Sequence, residues 1–220
     1  MAIIRFPTGF NIDDYLSSGL TSMVYLDSSS NIVVKYPHQV DEEPAIKVER
    51  QIYERFQQHG EHKGLLKFYG TVDSGIWLEY ASKNGLREYI QTHEINTGQR
   101  SDWAQQITSA LAFVHSVNVI HADLTCGNIY LDSNLQAKLL DFSGSSLGGS
   151  EPFVVVTASH KHSERDLKSV QADLFALGST LYGIWTGKPP YFVLGLKDIE
   201  ISKLFKQSRY LENKDSRADR

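Results

Sequence analysis

The octet His121 to Asn128 (HADLTCGN) is followed thirteen residues after Asn128 by Asp141, Phe142, Ser143 and Gly144. Asp123, Asn128 and Asp141 thus offer two carboxylates and a carboxamide. Oxygen donors of this kind suit a hard cation such as magnesium. At this spacing they suit one task well: holding a magnesium-bound phosphate next to an attacking hydroxyl. Any one of these residues alone would be read as a turn cap. The set of three points to chemistry.

The segments that must position them are short and apolar. Ile129–Leu131 and Ala137–Leu140 read as two strands joined by a turn at 132–134. A hairpin there brings Asp123, Asn128 and Asp141 to one edge. The pattern resembles the catalytic loop and the metal-binding motif of protein kinases, H-R-D-L-x-x-x-N and D-F-G. The resemblance implies that Asp123 orients a substrate hydroxyl and accepts its proton, work typically worth ~10²–10⁴ in rate. It implies that Asn128 and Asp141 hold Mg2+ against the phosphates of ATP.

Upstream, residues 12–80 are mostly strand-like. Val24–Leu26 and Ile32–Tyr36 flank a Ser-rich turn, and Pro44 opens a segment with helical spacing at Ile46, Glu49, Ile52, Tyr53 and Phe56. Further strands are expected over 65–72 and 75–80. Taken alone, Lys35 is an edge charge on an apolar strand and Glu49 an exposed helix charge. The resemblance instead makes Lys35 the lysine that contacts the α/β-phosphates and Glu49 its helix partner. Leu16, Ser17, Ser18, Gly19, Ser22 and Val24 occupy the place of the glycine-rich loop, yet only Gly19 survives of its three glycines. Serine adds a Cβ where backbone must approach phosphate, although its hydroxyl can donate to phosphate oxygens. Leu78, Glu79, Tyr80 and Ala81 resemble the hinge that reads adenine, with Val33 above the purine and Tyr130 below it.

After residue 85 the pattern is helical, over 86–93 and 102–117. Residues 173–185 are apolar almost all round, as expected of a helix buried on every side. With the Thr186–Tyr191 turn this segment resembles the kinase F helix, which small-molecule phosphotransferases usually lack. The expected fold is α+β and two-lobed: a small β-rich N-lobe with one helix (14–80), a hinge (79–84) and a larger helical C-lobe (85–205) lacking its last helices. Residues 1–13 would be a lead-in and 206–220 a disordered polar tail. The likeness is strongest to short, divergent kinases of the fungal type. One side of the 173–185 helix would then be left uncovered, a surface for a partner.

Several positions depart from the family pattern. Ala122 replaces the arginine that reads a phosphorylated activation loop, so phosphorylation there is not expected to act as the usual switch. Thr125 stands where Ser/Thr kinases carry lysine, removing one stabiliser of transition-state charge. Val33 and Tyr130 narrow the purine slot. Ser145, Ser146, Ser150, Thr157 and Ser159 are phosphosite candidates that loop composition explains equally well. His160 and His162 lack a third ligand and are read as loop residues.

The chain has 220 residues and a formal net charge of −4 with both signs interspersed, which gives no pointer to nucleic acid or an anionic membrane. Cys126 is the only cysteine and no apolar run has transmembrane length. A cytoplasmic or nuclear protein, neither secreted nor membrane-spanning, is expected. The resulting expectation is an ATP- and Mg2+-dependent kinase acting on a protein hydroxyl, Ser/Thr over Tyr, with reduced activity. A non-catalytic kinase-like interaction module is the alternative, and a small-molecule kinase the third reading.

Overall fold

The structure is a computed structural model that describes residues 5–207. Five antiparallel strands form the N-terminal sheet: β1 (Tyr15–Ser18), β2 (Ser22–Asp27), β3 (Ile32–Pro37), β4 (Phe68–Val72) and β5 (Gly75–Glu79), in the order β1-β2-β3-β5-β4. The β2–β3 turn forms because Asp27 accepts from Ser29 N at 2.9 Å and Ser30 Oγ at 2.7 Å, while Asn31 takes φ 55°. Between β3 and β4 runs α1 (Glu43–Gln58), with Pro44 in its first turn. Its buried residues Ile46, Glu49, Ile52, Tyr53 and Phe56 share one face. Four of them are apolar; Glu49 is a carboxylate with no exposure at all.

The C-terminal lobe carries α2 (Leu86–Thr92), α3 (Thr97–Ser116), α4 (Val170–Thr186) and α5 (Asp198–Lys206). Two small ladders lie between them: β6 (Val119–Ile120) with β9 (Ser146–Leu147), and the hairpin of β7 (Ile129–Leu131) with β8 (Ala137–Leu139). Leu139 N donates to Gly64 O at 2.8 Å, so the segment between α1 and β4 is fastened to the far lobe. One apolar cluster runs from Val33, Ile52 and Phe56 through Phe142 to Trp103, Ile107 and Ile184. Among the described residues no helix is long and apolar enough to cross a membrane.

Some expectations need correction. The third helix starts at Thr97, not 102, because Asn96 Oδ1 accepts from Gln99 N at 2.9 Å; Gly98, a weak helix former, masks this start. The expected strand over 65–72 begins only at Phe68, and Leu65 bridges to Leu139 instead. α4 is not buried on every side: Leu174 is 52% and Trp185 44% exposed. The described part of the lead-in packs on the sheet. Tyr25 Oη donates to Arg5 O at 3.1 Å, Arg5 pairs with Glu43 at 3.0 Å, and Phe10 meets Trp77 with ring centroids 5.6 Å apart. Lys206 closes α5, and the rest of the expected polar tail from residue 208 lies outside the described residues.

Candidate active site

Lys35 sits mid-sheet, paired across β2 with Val24 and across β5 with Ile76. Its Nζ lies 2.6 Å from Glu49 Oε2 and donates to Asp141 Oδ1 at 2.6 Å. Burial opposes the lysine charge, but the two carboxylates outweigh it and hold the ammonium above its usual range. Burial likewise pushes the Asp141 carboxyl up, and Lys35 more than reverses this, bringing it to about 2. Burial raises Glu49 against the pull of Lys35. Glu49 Oε1 also accepts from Phe142 N at 3.1 Å. One helix carboxylate therefore fixes both the lysine and the start of the segment after Asp141.

The catalytic-type loop is held from below. Asp173, in the first turn of α4 and 1% exposed, accepts from His121 N, Ala122 N and His115 Nε2, each at 2.8 Å. Ala122 has φ 65°, a left-handed conformation that costs an L-residue roughly 1–2 kcal/mol. Hydrogen bonds to a charged acceptor, worth about 1.5–3 kcal/mol each, offset that cost. Asp141 is also left-handed, with φ 65°. From His121 the rings of Phe142, Tyr53 and Phe68 form a continuous run of contacts, tilted, edge-on and stacked in turn, with centroid separations of 5.0, 5.7 and 5.8 Å. This run ties α1 and β4 to the loop.

Asn128 Nδ2 donates to Asp123 O at 2.8 Å and to Asp123 Oδ2 at 2.9 Å. Its Oδ1 is left available, as is Asp141 Oδ2, since Lys35 and Ser143 Oγ both donate to Asp141 Oδ1. Two oxygen donors facing one cleft fit magnesium, which is commonly held by one or two side chains plus substrate phosphates. No group of three or more His, Cys, Asp or Glu side chains placed to hold a metal occurs among the described residues. Burial raises the Asp123 carboxyl, and His121 and Asn128 only partly counter it.

A cleft of about 250 Å³ lies between the lobes. Every residue expected at the nucleotide site lines it: Leu16, Ser17, Ser18, Gly19, Ser22 and Val24 from the β1–β2 hairpin, Val33 and Lys35 from β3, Leu78, Glu79, Tyr80 and Ala81 at the hinge, and Tyr130 beneath. Glu49, Asn128 and Asp141 line it too, whereas Asp123 opens on a neighbouring groove that shares Gly127 and Asn128 with it. Leu66, Gly127 and Leu140 also line the cleft. They carry no signal beyond ordinary core or turn composition. Asp173 was readable: a carboxylate inside an apolar helix is a burial anomaly.

The activation-segment candidates divide. Ser145 Oγ donates to His121 O at 2.9 Å and Ser146 Oγ to Ser150 O at 2.5 Å; both side chains are buried, as is Ser159. Gly144 cannot carry a side chain, because a Cβ would stand 2.6 Å from Phe153 O. The two histidines face different partners. His160 Nδ1 lies 3.0 Å from Ser159 Oγ, and burial lowers its pKa to about 4; His162 packs on Phe175. Burial pushes the Cys126 thiol up to about 12, leaving it inert.

The family model for the protein kinase domain matches residues 17–219. The chain belongs to the protein kinase family. It is similar to serine/threonine-protein kinase RUNKEL of Arabidopsis thaliana, with 28% identity over 198 residues, 83% of this chain and 14% of that protein. It is also similar to mitogen-activated protein kinase kinase kinase 1 of the same plant, at 27% over 143 residues, 60% of this chain and 24% of the relative. A third relative is serine/threonine-protein kinase PDK1 of Cryptococcus neoformans, at 28% over 148 residues, covering 59% and 12%. The chain spans a quarter or less of the length of these kinases.

Proposed function

We propose that this kinase domain is active and transfers the γ-phosphate of ATP, with Mg2+, to a hydroxyl of a protein substrate, Ser/Thr in preference to Tyr. The observation that carries the reading is the continuous chain Glu49–Lys35–Asp141, with both ion pairs at 2.6 Å. ATP with magnesium would supply the phosphoryl group and the cation that spreads its charge. Lys35 holds phosphate oxygens through a charge that burial cannot remove. Asn128 and Asp141 orient the cation through their available oxygens. Asp123 positions the acceptor hydroxyl and takes its proton. The reading applies to the kinase domain of residues 14–205, divided at the hinge; the activity of any longer protein that contains it is part of the same proposal.

One observation favours the alternative, a kinase-like module that works through partners. Ser17 and Ser22 replace two of the phosphate-loop glycines, and the cleft of about 250 Å³ lies below the ~300–1,000 Å³ of most ligand sites. A thermal-shift titration with ATP, with and without magnesium, separates the two readings. At about 100 times the dissociation constant, binding adds ~2.7 kcal/mol, a shift of roughly 5–10 °C for a chain of this size. A magnesium-dependent shift that Asp141→Ala abolishes is the expected result. A well-folded sample that does not shift overturns the active reading.

A further inference from the structure

Beside the nucleotide cleft a groove of about 540 Å³ runs from Asp123 toward the C-terminal end of α4. Its electrostatics are opposite to those of the whole molecule, whose formal net charge is −4. Arg87 on α2 and Lys188 after α4 line it, and among the described residues its only carboxylate is Asp123. Among the described residues neither Arg87 nor Lys188 forms an ion pair with a protein carboxylate. Both are exposed. Surface cations usually find an anionic neighbour or point into solvent; here two flank a concave surface.

Arg87 reaches inward. Its Nη2 lies 3.1 Å from where a Cβ on Gly127 would stand, and its charge acts on Asp123, Cys126 and His160. The neighbouring Glu88 lies against Gly85 and opposes Arg87 at Cys126, but there Arg87 has the larger effect. Lys188 Nζ sits 5.4 Å over the Phe192 ring, which keeps its head group at the groove's rim. His160 adds no charge near pH 7, because its pKa is lowered to about 4. Val155, 89% exposed, and Phe192, 59% exposed, give the groove an apolar edge for peptide side chains.

We infer that this groove takes an acceptor segment rich in anionic groups, Arg87 and Lys188 reading carboxylates or phosphates that flank the hydroxyl. The inference rests on the proposed kinase reading for the identity of the acceptor, but the charge preference stands on the groove alone. A guanidinium suits planar two-oxygen anions, and a rim ammonium serves as a point charge. Opposed charge across such a surface sets specificity, and like charge repels wrong partners.

The test is peptide binding by fluorescence polarisation at two salt concentrations. Four labelled peptides share one central serine, flanked by glutamates, by phosphoserines, by glutamines or by lysines. The two anionic peptides should bind at least about ten-fold tighter than the glutamine peptide, and the lysine peptide weakest. Equal affinity for glutamate and phosphoserine peptides assigns the preference to charge in general; binding of the phosphoserine peptide alone assigns it to a segment already phosphorylated. R87E combined with K188E should invert the order, and R87Q alone should lower anionic binding by roughly three-fold or more, with melting temperatures unchanged. Glutamine and anionic peptides of equal affinity would overturn the inference, as would a charge preference that survives R87E with K188E. Phosphate transfer is followed in the same samples. Anionic binding without transfer overturns the kinase reading and leaves the groove assignment standing; transfer to the lysine peptide in preference does the reverse.

Discussion

In the proposed mechanism Asp123 must be ionised to accept the acceptor's proton, yet its burial favours the neutral acid. The carboxyl is therefore raised above 3.8, and the basic form is lost as pH falls through that raised value. The acid limb of kcat/KM should lie above the ordinary aspartate range, and Asp123→Asn should remove ~10²–10⁴ of the rate while leaving the nucleotide-induced thermal shift in place. A rate within three-fold of the parent would refute the assignment. Asp141 behaves oppositely. With its carboxyl depressed to about 2, its stabilisation is present above 3.8 and disappears as pH drops toward 2. At this scale the sequence was informative where a side chain's type and spacing limit its use. Lys35, Glu49 and Asp141 lie far apart in the chain and still converge as their motif types suggest. Asp173 begins the apolar 173–185 segment, but its task of holding His121 N and Ala122 N depends on a contact between loop and helix that no local pattern encodes.

Among the elements, α1 reaches across to the other lobe through Glu49 and through the rings of Tyr53 and Phe56 against Phe142. Tyr53 is an unexpected choice. Its ring packs between Phe142 and Phe68, but its hydroxyl is buried and has no hydrogen-bond partner among the described residues, and burial holds its pKa well above normal. An unsatisfied buried hydroxyl costs about 1–3 kcal/mol. Tyr53→Phe should thus be neutral or stabilising, by up to about 1 kcal/mol, or roughly 2–4 °C in melting temperature. A loss of several degrees would mean the hydroxyl is bonded after all. Element type was legible wherever periodicity was strong, as in α1 and the β2–β3 hairpin. It failed at ends. The start of α3 depends on one Asn96 cap ahead of a weak former, and the first residues of the expected fourth strand go to the Leu65–Leu139 bridge instead. The burial of α4 was overestimated because an all-apolar helix gives no internal sign of which neighbours arrive.

At the scale of the molecule, the most extensive apolar cluster spans both lobes, from Val33 and Ile52 across Phe142 to Ile107 and Ile184, with smaller clusters around Tyr25 in the sheet and around Tyr191 in the C-terminal lobe. Interfaces of that kind leave little room for a lobe to melt alone. Trp77 in the sheet and the fully buried Trp103 in α3 report on different lobes. In single-tryptophan variants their denaturation curves should coincide, with one midpoint. Midpoints that differ by more than about 0.5 M urea, of order 1 kcal/mol at the usual slopes, would establish separate units. The lobed architecture was visible as a change from strand-like to helical pattern near the hinge. The shared cluster was not, since apolar residues carry no label for the lobe they will join.

The ion pairs of Lys35 carry a further consequence. One ammonium stands between two carboxylates, each 2.6 Å away. Before any ligand arrives, these three groups already sum to one negative charge, with Asp123 close by. A bare triphosphate is a polyanion and meets repulsion there; the same molecule with its divalent cation attached meets far less. On the proposed nucleotide reading, the pocket would discriminate by total charge before it discriminates by shape. Occupancy would track the metal-loaded share of the nucleotide supply, not its total concentration, and a fall in free divalent cation alone would be enough to empty it.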